Sequence, residues 1–292
     1  MLPNNLDQSE GFARLRSLLL HPSKQNWSEL LSLLDRWPKA ERQVAMEYTK
    51  SHIADWSDTF KKYPPLPWPT LHSKSPDWPA HQLAKRLDLT KRGLGFSGIQ
   101  SLVENEHFTQ LSTLNLTWNR IDARGAALLS RYQKLHQLHY LNLSINHIGP
   151  EGTKAIAESP LFAQLQTLDL EENNIGAQGM RAIVQSPFLT QLHTLHLSAN
   201  RLGDEGASLL VEWKYFANLK VLDIGRNDLS SQGLQHIASC AKPTSLERIQ
   251  LSEMHLSFED IENIARLGAF RYRGSGIFTR NGANDRQAPE HS

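Results

Sequence analysis

The 292-residue chain predicts an α/β solenoid, a curved horseshoe with parallel strands on its concave face and helices on its convex face, behind an N-terminal helical domain. Three observations predict it. A pattern L-x-x-L-x-L-x-x-N-x-I/L recurs every 27 residues; apolar pairs at helical spacing follow each copy; and the composition changes in kind before residue 80.

The copies start at Leu111, Leu138, Leu165, Leu192 and Leu219. Their inner positions are Leu114/Leu116, Leu141/Leu143, Leu168/Leu170, Leu195/Leu197 and Leu222/Ile224, and their asparagines are Asn119, Asn146, Asn173, Asn200 and Asn227. A degenerate copy precedes them (Ala84, Leu87, Leu89, Leu94, with Arg92 in place of Asn), and another follows (Leu246, Ile249, Leu251, Leu256, with Met254 in place of Asn). Seven units, weakest at both ends, suit a solenoid that must be capped.

Gly98, Gly125, Gly152, Gly179, Gly206 and Gly233 open the second half of each unit, with Asp260 ending the series. The pairs Ala126/Leu129, Thr153/Ile156, Met180/Ile183, Ala207/Leu210, Leu234/Ile237 and Ile261/Ile264 then predict a helix with one face inward. The glycines are expected to serve turns. The column Phe108, Leu135, Phe162, Leu189, Phe216 is assigned to the core beneath the return loop. Parallel strands sit about 4.7–4.9 Å apart and packed helices about 8–10 Å, so the stack curves with its strands inside. An Asn amide both donates and accepts, so the Asn column can satisfy backbone groups in the tight turns.

These columns resemble the leucine-rich-repeat superfamily over residues 84–267, and Asn-x-Ile-Gly-x-x-Gly followed by a helix resembles its ribonuclease-inhibitor-like subclass. The stretch Ala157-Glu158-Ser159-Pro160-Leu161-Phe162 to Asn173-Asn174-Ile175-Gly176 is similar to bacterial proteins whose 27-residue units sit behind a small helical companion domain. Ala54-Asp55-Trp56 is similar to that companion. The resemblance implies a leucine-rich-repeat solenoid that binds protein. The constant unit length departs from the eukaryotic inhibitor, so ribonuclease inhibition itself is not implied.

Residues 1–62 are expected to form a helical domain of about three helices, with Pro22 and Pro38 between them and Ser28 as a cap. Residues 63–80 read as a Pro-rich linker, 81–267 as the solenoid and 268–292 as a C-terminal cap and tail. Arg271, Arg273, Arg280 and Arg286 lie in that tail without a nucleic-acid-binding module.

Hydrophobic residues at 39% and charged residues at 21% suit a soluble globular chain. Lys and Arg number 31 against 30 Asp and Glu, and this formal charge of +1 gives no general attraction to nucleic acid or membrane. Cys240 is the only cysteine, which excludes an internal disulfide and favours a reducing, cytoplasmic setting, with a buried packing role for the thiol. No signal-peptide pattern and no membrane span is evident.

Aligned repeats map the concave face. One column reads Asn115, Asn142, Asp169, His196, Asp223, Gln250, and the next Thr117, Ser144, Glu171, Ser198, Gly225, Ser252. His196 should stand between Asp169 and Asp223, about 5 Å from each strand, with Ser198 further along its own. This superficially holds the parts of a hydrolytic triad or a metal site. Ser198 and His196 are about 6.5–7 Å apart along the strand, however, and no oxyanion donor is placed there. No phosphate-binding glycine loop occurs either. The expected function is therefore non-catalytic, without cofactor or metal: binding of a protein partner through the concave face. The residues assigned to that face are Trp118, Tyr140, Ile145, Asp169, Glu171, Glu172, His196, Arg201, Asp223, Arg226 and Arg248. Trp, Tyr and Arg are the types enriched in binding hot spots, and a face of about 28 Å suits a protein better than a metabolite. Asp169, Glu171 and Glu172 make its centre acidic; Arg201, Arg226 and Arg248 are expected to make its C-terminal side basic. Two alternatives remain, a GTPase-activating regulator of ribonuclease-inhibitor-like type and a hydrolase or metal site around His196.

Overall fold

The computed structural model describes residues 9–65, 78–105, 107–238, 245–252, 256–267, 270–273 and 275–280. Cys240, Met254, Arg286 and most of the Pro-rich segment lie outside the described residues. The chain divides into two compact units, Met1–Leu89 with Glu104–Leu114 and Thr90–Val103 with Asn115–Ser292.

In the first unit, helices α1 (Glu10–Leu19), α2 (Lys24–Asp35) and α3 (Lys39–His52) pack on one another. Ser23, not Ser28, caps α2: its backbone is extended and its hydroxyl accepts the Asn26 N–H at 3.0 Å, whereas Ser28 lies within the helix. Pro38 stands at the N-cap of α3, where its missing N–H costs nothing. Phe12, Leu15, Leu30, Leu34, Ala45 and Met46 are buried between the helices, and Phe12 meets Trp37 edge to face at 5.0 Å. The short helix α4 (Pro79–Leu83) follows, then strand β1 (Arg86–Asp88), with strand β2 (Thr113–Asn115) beside it. Tyr63, Trp78, His81 and Phe108 form one ring cluster in this unit.

The second unit repeats strand, turn and helix. Strands β3 (Tyr140–Asn142), β4 (Thr167–Asp169), β5 (Thr194–His196), β6 (Val221–Asp223) and β7 (Arg248–Gln250) pair in parallel and in order. Leu141, Leu168, Leu195, Leu222 and Ile249 stand in one register and are fully buried. Helix α5 (Gly95–Glu104) precedes these strands. Helices α6 (Ala123–Leu129), α7 (Gly149–Ala157), α8 (Gly176–Gln185), α9 (Gly203–Glu212), α10 (Ser231–Ala238) and α11 (Phe258–Leu267) stack neighbour on neighbour. The predicted inward pairs are buried from Ala126/Leu129 through Leu234/Ile237, and Phe108, Leu135, Phe162, Leu189 and Phe216 are at most 1% exposed.

Each Asn of the repeat ties two units together. The Asn173 amide donates to the carbonyls of Leu143, Leu170 and Glu171 at 2.8–3.1 Å, and the Asn200 carbonyl oxygen accepts from the Asn173 N–H at 3.0 Å. Asn146, Asn200 and Asn227 repeat the arrangement, so backbone groups that no ladder can reach are satisfied inside the core.

The glycines divide into two sets. Gly149, Gly176 and Gly203 have φ near +60° and do serve turns. Gly98 through Gly233 instead sit in the opening turns of helices. A Cβ on Gly98, Gly125, Gly152, Gly179 or Gly206 would come within 2.8 Å of the apolar side chain four residues before it, and on Gly152 it would also lie 3.0 Å from the Ala123 backbone of the neighbouring helix. A 27-residue period cannot by itself separate these two reasons for glycine.

Past β7 the direction reverses. Strand β9 (Ile277–Arg280) pairs antiparallel with β7 and with β8 (Phe270–Tyr272), and buries Phe278 opposite Ile249. Arg271 and Arg273 of this hairpin are exposed.

Candidate functional site on the strand face

Each strand of the second unit up to β7 is only three residues long, and the chain turns at once. Trp118, Ile145, Glu172, Ala199 and Arg226 then adopt left-handed φ of 51–56°, and Arg201 follows with φ 57°. Of the predicted site residues, Tyr140, Asp169, His196, Asp223 and Arg248 thus lie on strands, Glu171 just beyond β4, and Trp118, Glu172, Arg201 and Arg226 in left-handed turns. Sequence reasoning missed that conformation because non-glycine types occupy the positions, Ile145 being β-branched.

The column Asn115, Asn142, Asp169, Asp223 has a structural task. The side-chain oxygen of each accepts the N–H two residues on, at 2.8–3.0 Å, closing the turn after the strand. Asn142, Asp169 and Asp223 are at most 8% exposed as a result, although strand alternation points them to the open face. Asn142 also donates to Asp169 at 2.8 Å, and to the Tyr140 hydroxyl at 3.4 Å. In the next column the Thr117 and Ser144 hydroxyls donate to Asn115 and Asn142, both at 2.7 Å.

His196 breaks the column. It stands in register between Asp169 and Asp223, and its Nδ1 lies 4.0 Å from Asp223 Oδ2, an ion-pair rather than a hydrogen-bond distance. Burial draws its pKa down, but the approach of Asp223 and the charges of Asp169 and Glu171 outweigh that and hold it above its ordinary value. Glu171, half buried, is raised by burial first and then by Asp169, Asp223 and Glu172, with His196 opposing. The structure therefore gathers Asp169, Glu171, Glu172, His196 and Asp223 into one acidic centre.

Of the three arginines expected to make the C-terminal side basic, Arg226 pairs with the acidic centre. Its guanidinium reaches past Ala199 to Glu172, Nη1 to Oε1 3.1 Å, and spends its charge on the acidic centre. Arg201 is exposed and Arg248 half buried. Trp118, 50% exposed, stands apart from the centre with Lys91 Nζ 4.4 Å from its ring centroid. Among the described residues Ser198 makes no hydrogen bond to His196, so no nucleophile and base are joined, and no three His, Cys, Asp or Glu groups are placed to hold a metal ion. Among the described residues no helix is long and apolar enough to cross a membrane.

Comparison with family models agrees with this architecture. The family model described as Leucine Rich repeat matches residues 109–130, 134–157, 164–184, 189–211 and 217–238. No curated protein matches the sequence. Among solved structures, an internalin (InlF) from Listeria monocytogenes is 20% identical with a TM-score of 0.42, over 63% of this chain and 52% of its own. The TLR13–ssRNA13 complex is 15% identical with a TM-score of 0.34, over 68% of this chain and 37% of its own. The Rad7 and Elc1 complex of yeast is 12% identical with a TM-score of 0.29, over 90% and 88%. The chain thus spans about half the length of the internalin it matches. The five matches fall on consecutive strand, turn and helix repeats between residues 109 and 238, and these repeats build a solenoid of leucine-rich-repeat fold.

Proposed function

We propose that this chain is a non-catalytic interaction scaffold, of ribonuclease-inhibitor-like type, that binds a protein partner through its strand face in the cytoplasm. The observation that carries the reading is the register of β3 to β7. It lines Tyr140, Thr167, Thr194, Val221 and Arg248 into one row of half-exposed side chains beside the acidic centre. The Asn ladder and fully buried leucines beneath make that row rigid, and a pre-organised face loses little side-chain freedom on binding. Leucine-rich repeats generally serve as protein-interaction scaffolds. The Trp118 turn adds an exposed aromatic of the kind that anchors interfaces.

Photo-crosslinking in lysate of the source cells tests this reading. A benzophenone side chain at Thr194, on the strand face, should capture a protein partner, and one at the exposed Gln178 of α8 should not. Capture from Gln178 alone would move the interface to the helices and overturn the reading.

A further inference from the structure

We propose, resting on the strand-face reading above, that the partner docks an acidic segment on the turns around Lys91 and Trp118. Its carboxylates meet Lys91, Arg92 and Arg120, and an apolar side chain between them meets the Trp118 ring.

The two turns lie side by side in the second unit. The Lys91 N–H donates to the Thr117 carbonyl at 3.0 Å, the Arg92 N–H to the Asn119 side-chain oxygen at 3.0 Å, and the Gly95 N–H to the Asn119 carbonyl at 2.8 Å. The Trp118 N–H donates in turn to the Ser144 carbonyl at 3.0 Å, which brings the half-buried Ile145 to the next place in the row. Backbone hydrogen bonds thus fix where these side chains start before any partner arrives.

Two independent observations mark the patch as a docking surface. The first is Trp118 itself. It is 50% exposed, whereas every other described tryptophan is at most 6% exposed. Its φ of 56° is a conformation in which a Cβ is penalised, and burial in the chain's own core does not offset that. Strained, exposed positions of this kind concentrate at ligand clamps. The Lys91 ammonium lies 4.4 Å from the ring centroid, so an apolar surface and a cation are presented together.

The second observation is charge. Lys91, Arg92 and Arg120 are exposed, and among the described residues none of them has an ion-pair partner. The nearby carboxylate of Asp122 is already engaged, accepting the Gly125 N–H at 2.9 Å and pairing with Arg124 at 2.9 Å. Three uncompensated cations around an exposed indole are complementary to carboxylates that flank an apolar side chain. A nucleic acid fits less well. The formal charge of +1 gives no general pull on a phosphate backbone. Asp169 and Glu171 also stand two strands along from the Trp118 repeat, about 10 Å away at the strand spacing, where a continuing phosphate chain would be repelled. A polypeptide can change sign over that distance.

The probe is a fluorescein-labelled, capped peptide of aspartate and glutamate around one central leucine, titrated into the full-length, isotope-labelled protein. Its controls are the asparagine and glutamine counterpart and a single-stranded oligouridylate of equal charge. Saturable polarisation is expected with the acidic peptide, together with NMR shifts at the amides of Lys91, Arg92 and Arg120 and at the Trp118 indole N–H. Affinity should fall roughly tenfold in Trp118→Asn, a substitution that suits the left-handed turn, and several-fold in Arg120→Gln. Added salt should weaken wild-type binding, and weaken it less in Arg120→Gln. Unchanged amide spectra away from the turns show that the variants are folded. Equal binding of the neutral peptide, no binding of the acidic one, tighter binding of the oligouridylate, or wild-type affinity in both variants overturns the proposal. If Thr194 still captures a partner in that case, the strand-face reading survives alone; acidic-peptide binding without capture leaves the reverse.

Discussion

His196 occupies a place where Asn142, Asp169 and Asp223 in the flanking repeats close a turn with their own side chains. That exchange puts a titratable cation between carboxylates. NMR titration of the imidazole should give a pKa above the free value of about 6.5, and Asp223→Asn should lower it. Because the folded pKa is the higher one, the stabilising contribution is fully present below the unfolded pKa and is lost as pH rises through the folded value. A pKa at or below that of free histidine would contradict the arrangement. Ile145 offers a second test at this scale. A β-branched residue at φ 53° is strained, so Ile145→Gly should raise stability, or cost less than the usual loss for glycine. A large fall in the denaturation midpoint would show that side-chain packing outweighs the backbone.

Each repeat is an element whose strand turns one side to the core. Leu195→Ala should cost about 2–5 kcal/mol through the cavity it leaves, while Thr194→Ala should stay within about 0.5 kcal/mol. Denaturant titration separates the two, and equal costs would reverse the assignment of faces. On the opposite side, helix propensity favours alanine over glycine by about 1 kcal/mol. Gly152→Ala should nevertheless destabilise, because the new methyl meets Ile148 within its own unit and the Ala123 backbone of the neighbouring one. A stabilised Gly152→Ala protein would refute close helix packing as the reason for that glycine.

The solenoid of the second unit is held by contacts between neighbouring repeats, so its open ends are weak points. The β8–β9 hairpin closes one of them, since β9 takes the edge of β7 that another repeat would occupy. Truncation after Leu267 should lower the denaturation midpoint by exposing Ile249 and the β7 backbone. It should also promote self-association through the bared strand edge, visible in light scattering. An unchanged midpoint would show that the hairpin does not cap the sheet.

The leucine, asparagine and helix-pair columns were legible in the sequence because packing in a repeat protein is local. Each residue meets its equivalent one unit away, so periodicity alone specifies the neighbours in the sheet and the core. The acidic centre was legible for the same reason, as Asp169, His196 and Asp223 fall in one column of the alignment. Three features were decided only in three dimensions. The left-handed turns at Trp118, Ile145 and Arg226 follow from strands that end after three residues, whatever side chain is present. The Arg226 to Glu172 pair skips a repeat: the two residues stand 54 apart in one column of the alignment, with Ala199 between them, and only the fold shows that their side chains meet. The burial of Asp169 and Asp223, on a face that alternation reads as open, arises because their carboxylates turn back onto their own backbone. A side chain's periodicity sets the face it starts from, and its hydrogen bonds decide where it ends.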